Sequence, residues 1–360
     1  MILGMPPGQI LRNARLARQQ TGAPVARQIA EMIRLRSSRH GLSADDYFTH
    51  RLFDPAKSWD EKSRFVGLWA RARLYRIQDP RWMEIAENKI ESDRHLRAHG
   101  FPTPKIIAQS SPRDDVEGAV WLADAAAMKT WLRTAPYPHF AKPAVSYLGY
   151  SAFLFDGYDA ETDTLRMRNG QTMTLDAFAA RFGGKDGGMI FQTLMRPHPD
   201  LAERIGSRLS TARLVIIGKG DDRALFVAGI RLPVGNKMTD NIQGGKSGTL
   251  LGRLDYETGA ITELFSGFGL NLTRTDKHPD TGMPLVGFRV PDWRPALDMA
   301  LAASRTFEGL PVQGWDVAFT DNGPVLVECN ATGSVHLPQL ALGKGLAQPE
   351  FLALYDGGRI

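Results

Sequence analysis

The sequence predicts an α+β fold with a separate N-terminal layer of helices. Residues 1–80 follow the apolar spacing of helices, interrupted by glycine and proline breaks. Beyond residue 195, long β-rich runs such as ARLVIIG and ALFVAGIRL dominate. Near the end of the chain, GWDVAFTDNGPVLVECN (314–330) has the pattern of a β-hairpin that turns at Asp321-Asn322-Gly323. Helices and strands segregated along the chain in this way are typical of α+β proteins.

Composition narrows the class of protein. The chain has 360 residues, enough for two or three subdomains with cores of their own. Its single cysteine excludes an internal disulfide and any multi-cysteine metal site. The sequence shows no run of about 20 apolar residues and no evident signal peptide. We therefore expect a cytoplasmic protein.

The N-terminal layer carries the positive charge of the chain. Residues 1–40 contain seven arginines and one acidic residue, Glu31, a balance of +6, which leaves −1 for the rest of a chain whose net charge is +5. Val25, Ile29 and Met32 have the spacing of an amphipathic helix with a basic outer face. Two interpretations stay open: solvated arginines on a packed helix, or contact with an anionic membrane surface or an acidic partner. Nucleic acid is not expected, because no recognition motif accompanies the charge.

Further elements follow in order along the chain. Ser43, with Asp46 three residues later, marks the start of a capped helix. One helix is predicted over 83–98, ending at Gly100. Strands are predicted at KIIAQ, HFAKPAV and SAFLFDG, and helices at AAAMKTWLRTA and DWRPALDMALAASRTF.

The register of the hairpin follows from its proline. A two-residue loop at Asn322-Gly323 would need a backbone N–H from Pro324, which proline lacks. A three-residue loop that pairs Thr320 with Pro324 is therefore predicted. That register places Asp316 opposite Glu328.

The hairpin therefore presents oxygen ligands on one face. Asn330 lies on the face of Glu328, because side chains alternate along a strand. Opposed carboxylates repel, so a positive group must lie between Asp316 and Glu328. Mg²⁺ completed by substrate phosphates suits such ligands. The alternative is a solvated hairpin end with polar residues near a loop.

Phosphates would need partners elsewhere in the chain. GGKS (244–247) ends like a phosphate loop, but the first glycine of that motif would fall on Asp240. FAKPAVSYLGYSAFLF (140–155) instead offers Lys142 on a strand. The loop that follows contains Ser146, Gly149 and Ser151. Such a loop can fold over a triphosphate, with its backbone N–H groups directed toward the phosphate oxygens.

Other polar residues are less specific. Lys89 alone has the pattern of a helix-surface lysine. Arg213 lies within an apolar strand, where an unpaired charge is costly, so we expect it to face a cleft and an anion. His198 and His278 lie in loop sequence. No zinc-protease helix, paired thiolate or nucleophile elbow is present.

Together these segments resemble the ATP-grasp superfamily, and specifically its sugar-transfer-associated branch. The resemblance runs through nearly the whole chain and rests on the order and spacing of DDYFTHRLFD, NKIESDRHLRAHGFPTP, HFAKPAVSYLGYSA, IFQTLMRPHPDLAERIGSRLSTARLV, DNIQGGKSG, HPDTGMPLVGFRVPDW and GWDVAFTDNGPVLVECN. It implies an ATP-grasp fold, in which two α+β subdomains clasp ATP. The implied division is an N-terminal helical region (1–80), a small subdomain (81–195) and a C-terminal subdomain (196–360).

The resemblance also implies roles for single residues. Lys89 and Lys142 would contact the ATP phosphates, the loop 146–151 would close over them, and the backbone of 192–194 would read the adenine edge. The implied nucleotide-binding set is Lys89, Lys142, Ser146, Gly149, Ser151, Gln192, Thr193, Leu194 and Asn241. The implied ligands of one or two Mg²⁺ ions are Asp316, Glu328 and Asn330.

One departure from the family bears on catalysis. Many ATP-grasp ligases place an arginine two residues before the hairpin aspartate, and this chain has Gly314 there. Arg213, Arg231 and Lys246 are the candidates to supply the missing charge over the transferring phosphoryl group.

The chemistry implied by the resemblance is ADP-forming ligation through an acyl phosphate. A small-molecule carboxylate would attack the γ-phosphoryl group, and an amine, or less often a thiol or hydroxyl, would then attack the activated carbonyl. Three alternatives stay open: a kinase-like use of the same site, a nucleotide-binding regulator without ligation, and a metal-free α+β binder of an acidic partner. The sequence leaves the oligomeric state open.

Overall fold

The computed structural model describes residues 4–68, 71–111, 116–145, 152–183, 188–235 and 248–355. Its mixture of helices and two sheets confirms the predicted α+β class. The helices are α1 (Pro7–Thr21), α2 (Val25–Arg36), α3 (Ala44–Thr49), α4 (Trp59–Ser63), α5 (Arg71–Arg76), α6 (Pro80–Glu87), α7 (Lys89–Ala98), α8 (Ala125–Thr134), α9 (Leu175–Phe182), α10 (Pro199–Ile205), α11 (Trp293–Arg305), α12 (His336–Leu342) and α13 (Pro349–Tyr355). The strands are β1 (Ile106–Gln109), β2 (Val120–Trp121), β3 (His139–Pro143), β4 (Phe153–Asp159), β5 (Thr164–Met167), β6 (Thr172–Thr174), β7 (Met189–Thr193), β8 (Thr211–Ile217), β9 (Ala224–Leu232), β10 (Leu250–Leu254), β11 (Ile261–Ser266), β12 (Thr273–Arg274), β13 (Val312–Thr320) and β14 (Gly323–Asn330).

The N-terminal layer contains α1 to α4, which share an apolar core of their own, whereas Leu74 of α5 packs into the core beside α12. Met32 and Leu35 of α2 pack in the shared core with Tyr47 and Phe48 of α3. The capping box predicted at the start of α3 is present, because Ser43 accepts from the backbone N–H of Asp46 and Asp46 accepts in return. No helix in the described ranges combines the length and apolar character needed to cross a bilayer.

The single helix predicted over 83–98 is wrong in one respect: two helices, α6 and α7, cover this region. The chain breaks at Asn88, which is extended and whose side chain accepts from the N–H groups of Ile90 and Glu91. Asparagine at this position competes with helical hydrogen bonding and caps the second helix. Lys89 therefore stands at a helix start, and its backbone N–H donates to the Ala144 carbonyl at 2.9 Å.

The first sheet has the strand order β2-β1-β7-β3-β4-β5-β6 and lies within the predicted small subdomain (81–195). Helices α8 and α9 cover one face, where Phe155, Phe178 and Phe191 are fully buried. The other face carries Lys142, paired with Ile190, and Gln192, paired with Phe140. The polar side chains of this face therefore point away from the aromatic core.

The second sheet also has seven strands in the described residues, several of them longer, in the order β12-β11-β10-β9-β8-β13-β14. Helix α11 packs on one face, together with Leu214 and Trp315. Helix α12 and residues near Val66 pack on the opposite face, together with Val215. Arg213 and Asp316 lie on this second face, but outside the apolar cluster that covers the rest of it.

The hairpin β13–β14 differs from the predicted register at its tip. Thr320 pairs with Gly323 and Phe319 with Pro324, so the loop is the two-residue Asp321-Asn322. A bulge between Asp316 and Val317 then shifts the register by one residue. The predicted three-residue loop is wrong, but the predicted opposition of Asp316 and Glu328 is present because the bulge restores it.

Candidate nucleotide and metal site

The predicted acidic pair lies beside two arginines. Asp316 of β13 is flanked by Glu328 on β14 and by Arg213 on β8. Arg213 Nε lies 2.6 Å from Asp316 Oδ1 and its second nitrogen 3.0 Å from Oδ2. Arg231 reaches the same Oδ2 at 3.1 Å. The anion that Arg213 was expected to face is thus Asp316 itself.

Charge at Asp316 is set by two opposing effects. Burial raises the pKa of the carboxyl, but the guanidinium groups of Arg213 and Arg231 outweigh it and hold the pKa below its ordinary value. Asp316 is therefore ionised at neutral pH. Arg213 and Arg231 therefore supply part of the positive charge that the opposed carboxylates of Asp316 and Glu328 require.

The remaining oxygen ligands of the face are Glu328 and Asn330. Glu328 is half-buried, and its carboxylate has no hydrogen-bond or salt-bridge partner among the described residues. The amide nitrogen of Asn330 donates to the Gly314 carbonyl at 3.4 Å, which leaves its oxygen for another ligand. Asp316 keeps spare acceptor capacity as well, since a carboxylate accepts about four hydrogen bonds. This donor set fits a hard cation such as Mg²⁺.

Two buried lysines face this acidic group, Lys142 from β3 of the first sheet and Lys89 from the start of α7. Burial, and next the Lys89 ammonium, lower the pKa of Lys142 to about 8, although Glu328 and Asp316 oppose the shift. Burial also lowers the pKa of Lys89, against Glu328 and Glu87. No carboxylate in the described ranges forms an ion pair with Lys142. A buried ammonium without a protein counterion is suited to a phosphate ligand.

The space between the subdomains is bounded by these side chains. A narrow cavity of about 20 Å³ is lined by Lys89, Lys142, Gln192 and Glu328, among others. Its size suits about one water molecule. Next to it, a larger cavity of about 430 Å³ lies between Thr193–Arg196 and the tip of the hairpin. That volume is within the range of small-molecule sites.

The segment predicted to read adenine lines both cavities. Gln192 contacts the smaller one, and Thr193 and Leu194 contact the larger one. The Thr193 N–H already donates to the Lys105 carbonyl at 3.0 Å, so it is engaged within the protein. The Gln192 side chain donates to the Pro104 carbonyl at 3.4 Å.

Several predicted site residues lie outside the described residues. They are Ser146, Gly149, Ser151, Asn241 and Lys246. The structure brings together Lys89, Lys142, Gln192, Arg213, Arg231, Asp316, Glu328 and Asn330. The individual roles given to these residues stay predictions.

A comparison with protein-family models shows which family the chain belongs to. A family model described as sugar-transfer associated ATP-grasp matches residues 71–351. The chain belongs to this ATP-grasp family. The match confirms the resemblance inferred from the sequence segments. No curated protein matches the sequence.

Solved ATP-grasp structures show similarity at low identity. D-alanine-D-alanine ligase from Coxiella burnetii is 14% identical, covering 76% of this chain and 56% of that chain at a TM-score of 0.39. VanG D-Ala:D-Ser ligase from Enterococcus faecalis is 12% identical, covering 75% and 62% at 0.42. Phosphoribosylamine–glycine ligase from Thermotoga maritima is 10% identical, covering 78% and 57% at 0.43. The chain thus spans less than two thirds of each of these proteins.

The candidate site also contains residues that sequence reasoning missed. Asp93 of α7 is buried beside Lys89 and Lys142 and is held by Arg97 at 2.9 Å. Thr211 accepts a hydrogen bond from the Arg231 guanidinium at 3.0 Å and so orients it. A signal for Thr211 was present in the sequence, since it lies two residues from Arg213 and hence on the same face of the strand.

Proposed function

We propose that the protein is an ATP-dependent, ADP-forming ligase that joins a small-molecule carboxylate to an amine. The observation that carries the proposal is the convergence of Lys89 and Lys142 with the acidic face of the hairpin. Membership of the ATP-grasp family supports the use of ATP with Mg²⁺. The sequence also has no nucleophile-elbow motif, which is compatible with this chemistry because the reaction needs no nucleophile from the protein.

The reaction has two steps. A carboxylate oxygen of the substrate attacks the γ-phosphorus in line, the bond from that phosphorus to the bridging oxygen breaks, and ADP leaves. The amine then attacks the acyl carbon, the carbon–oxygen bond to phosphate breaks, and the amine loses a proton as phosphate leaves. When bound, Mg²⁺ would neutralise charge on the phosphate oxygens.

The protein residues act by position and charge. Lys89 and Lys142 would bind phosphate oxygens, and their protonated forms would attract the negative charge that moves toward the leaving group. Asp316, Glu328 and Asn330 would hold the metal. Arg213 and Arg231, fixed by Asp316 and Thr211, would take the place of the arginine that Gly314 replaces.

Nucleotide binding tests the first half of the proposal. Titration calorimetry with MgATP and MgGTP would compare wild type, Lys142→Met and the control Lys129→Met, whose partly exposed ammonium pairs with Asp176 on the surface. A charge-assisted hydrogen bond contributes about 1.5–3 kcal/mol, so Lys142→Met should weaken MgATP binding roughly 10- to 100-fold. The Lys129 variant should bind like wild type. Absence of MgATP binding to folded wild type contradicts the proposal.

Product analysis tests the second half. Carboxylate and amine pairs would be screened for ADP release, and the active carboxylate would be labelled with heavy oxygen. Transfer of the label to phosphate supports an acyl phosphate, whereas a stable phosphoester would show kinase chemistry instead. Glu328→Gln should lower turnover on the order of 100-fold or more. Glu308→Gln, an exposed control, should not.

A further inference from the structure

A second cluster of metal-ligating side chains joins the N-terminal layer to the large subdomain. It consists of Asp46 on α3, His50 directly after α3, and His336 at the start of α12. One donor atom of each residue lies within 4.8 Å of the donor atoms of the other two. None of these residues takes part in the nucleotide site described above.

Asp46 is a buried carboxylate that lacks a strong counterion. Its side chain is 0% exposed, and Oδ2 accepts from the backbone N–H and the hydroxyl of Ser43 at 2.7 Å each. Oδ1 has only a 3.4 Å contact from the Leu68 N–H and a 3.5 Å contact with His336 Nε2. Within the described residues, no lysine or arginine forms an ion pair with it. A buried carboxylate without compensation is costly, so this oxygen is suited to a cation.

The two imidazoles are spaced as ligands of one ion would be. His336 Nδ1 lies 3.2 Å from His50 Nε2. Two nitrogens bound to a tetrahedral zinc at 2.0–2.1 Å lie about 3.3 Å apart. His50 Nε2 and His336 Nδ1 thus lie at about the separation expected of two ligands on one zinc ion.

The neighbouring amide does not occupy these nitrogens. Gln339 Nε2 approaches His50 Nε2 to 3.3 Å, but both amide hydrogens already have acceptors. They donate to the carbonyls of Val66 and Val335 at 2.9 Å each. His50 is only 5% exposed, and its Nδ1 has no partner among the described residues. The ring thus has unfilled bonding capacity in a buried place.

We propose that Asp46 Oδ1, His50 Nε2 and one ring nitrogen of His336 bind a first-row transition dication, with Zn²⁺ as the preferred ion. Imidazole ligands favour zinc over Mg²⁺, so the site is chemically distinct from the oxygen-lined face of the hairpin. His336 is 22% exposed, which leaves room for water as a further ligand. The ion ties α3 of the N-terminal layer to α12, which covers the sheet that carries Arg213 and Asp316.

Metal content is the direct test. Full-length protein would be stripped with a chelator, dialysed against Zn²⁺ in excess Mg²⁺, and measured by elemental analysis. Wild type should retain one Zn²⁺ per chain. His336→Ala should weaken Zn²⁺ binding at least about 100-fold, because it removes a ligand outright. The exposed control His99→Ala and the nucleotide-site variant Glu328→Gln should retain the ion.

Spectroscopy and stability separate a metal site from a hydrogen-bonded cluster. Co²⁺ in place of Zn²⁺ should give visible absorption in wild type and Glu328→Gln, and little in His336→Ala or Asp46→Asn. Zn²⁺ should raise the Tm of wild type and not that of folded His336→Ala. If wild type retains no Zn²⁺, or His336→Ala retains it equally, the contact is an imidazole–imidazole hydrogen bond and the proposal is wrong.

Discussion

Asp316 holds two guanidinium groups in fixed positions within the large subdomain. Arg213 binds both of its oxygens, and Arg231 binds one of them and is also held by Thr211. A guanidinium has five N–H donors, so Arg213 keeps donors beyond those that Asp316 accepts. Such an arrangement lets one carboxylate orient positive charge while it keeps spare acceptor sites. The rigidity comes from the strands, because all four residues lie on β8, β9 and β13.

Lys142 gives a pH prediction at the scale of one residue. Its pKa is lowered from 10.5 to about 8, mainly by burial. Bound phosphates favour the protonated ammonium, so MgATP affinity should fall as the pH rises through about 8. Titration calorimetry between neutral pH and mildly alkaline pH measures this. Lys142→Arg keeps its charge over that range, and its affinity should stay flat.

The lowered pKa of Lys142 also makes the stability of the folded protein depend on pH, in the opposite direction to MgATP affinity. Below about pH 8 the ammonium is charged in both the folded and unfolded chain, and its burial lowers the free energy of unfolding. Between about pH 8 and 10.5 the unfolded chain binds the extra proton, so this contribution to stability rises with pH. Denaturant unfolding of wild type and Lys142→Met would show it as a difference that narrows across this window. A constant difference would contradict the assigned pKa.

The hairpin shows what strand alternation predicts and where it fails. Proline chemistry correctly excluded a loop at Asn322-Gly323, but the two-residue loop one position earlier avoids the same conflict. With that loop, Thr320 and Gly323 form the closing pair and Pro324 lies opposite Phe319 in the next pair. Antiparallel pairing needs no backbone N–H donor at that next position, so proline fits there. The bulge that follows depends on how β14 meets its neighbours, which no local pattern encodes.

The boundaries of helices and strands also show where prediction from local sequence patterns fails. The regular strands and helices of the large subdomain follow from apolar runs, and α11 and β8 lie where the sequence placed them. The break at Asn88 is weaker in sequence, because asparagine within a polar helix is not unusual. Its effect is large, however, since it turns Lys89 from a surface residue into a buried one.

Gly314 explains, at the level of packed elements, why the usual arginine is absent. A Cβ at Gly314 would lie 2.7 Å from the Gly333 backbone, so β13 and the loop after β14 approach too closely for any side chain. Gly314→Ala should therefore lower the free energy of unfolding by about 1–3 kcal/mol, the cost of overpacking. Gly8→Ala in α1 is the matched control, because a Cβ there meets nothing within 4 Å.

Denaturant unfolding of both glycine variants measures the difference. Gly8→Ala should stabilise the chain by about 0.5–1 kcal/mol through helix propensity. Equal effects of the two substitutions would show that the loop at Gly333 adapts readily. In that case the close approach would not account for the missing arginine.

At the scale of the whole molecule, contacts distant in sequence were beyond prediction. Asp46 and His336 are separated by most of the chain, and neither lies in a ligand motif. Their meeting depends on α12 crossing the large sheet, where Ala341 packs over Gly229. The N-terminal layer and the subdomain limits at 80 and 195 were predicted from composition and resemblance, and the limits stay predictions.

The uneven charge of the molecule leads to a last prediction. Helix α1 buries Ile10, Ala14 and Ala17 and leaves Arg12, Arg15 and Arg18 exposed. Beside them Leu11 is 38% and Leu16 47% exposed. Packing therefore accounts for the inner side of this helix and leaves a basic outer side with apolar flanks, the combination that suits an anionic membrane surface.

We expect the full-length protein to sediment with vesicles that contain phosphatidylserine, and less so as salt increases. Each arginine near such a surface contributes about 1 kcal/mol, so replacing Arg12, Arg15 and Arg18 with Gln should lower vesicle binding on the order of 100-fold. The matched control replaces three exposed arginines elsewhere, Arg274, Arg294 and Arg305. Equal loss in both variants, or no binding by wild type, would mean that these N-terminal arginines are only solvated. Selective loss would place α1 against the membrane and orient the nucleotide site relative to it.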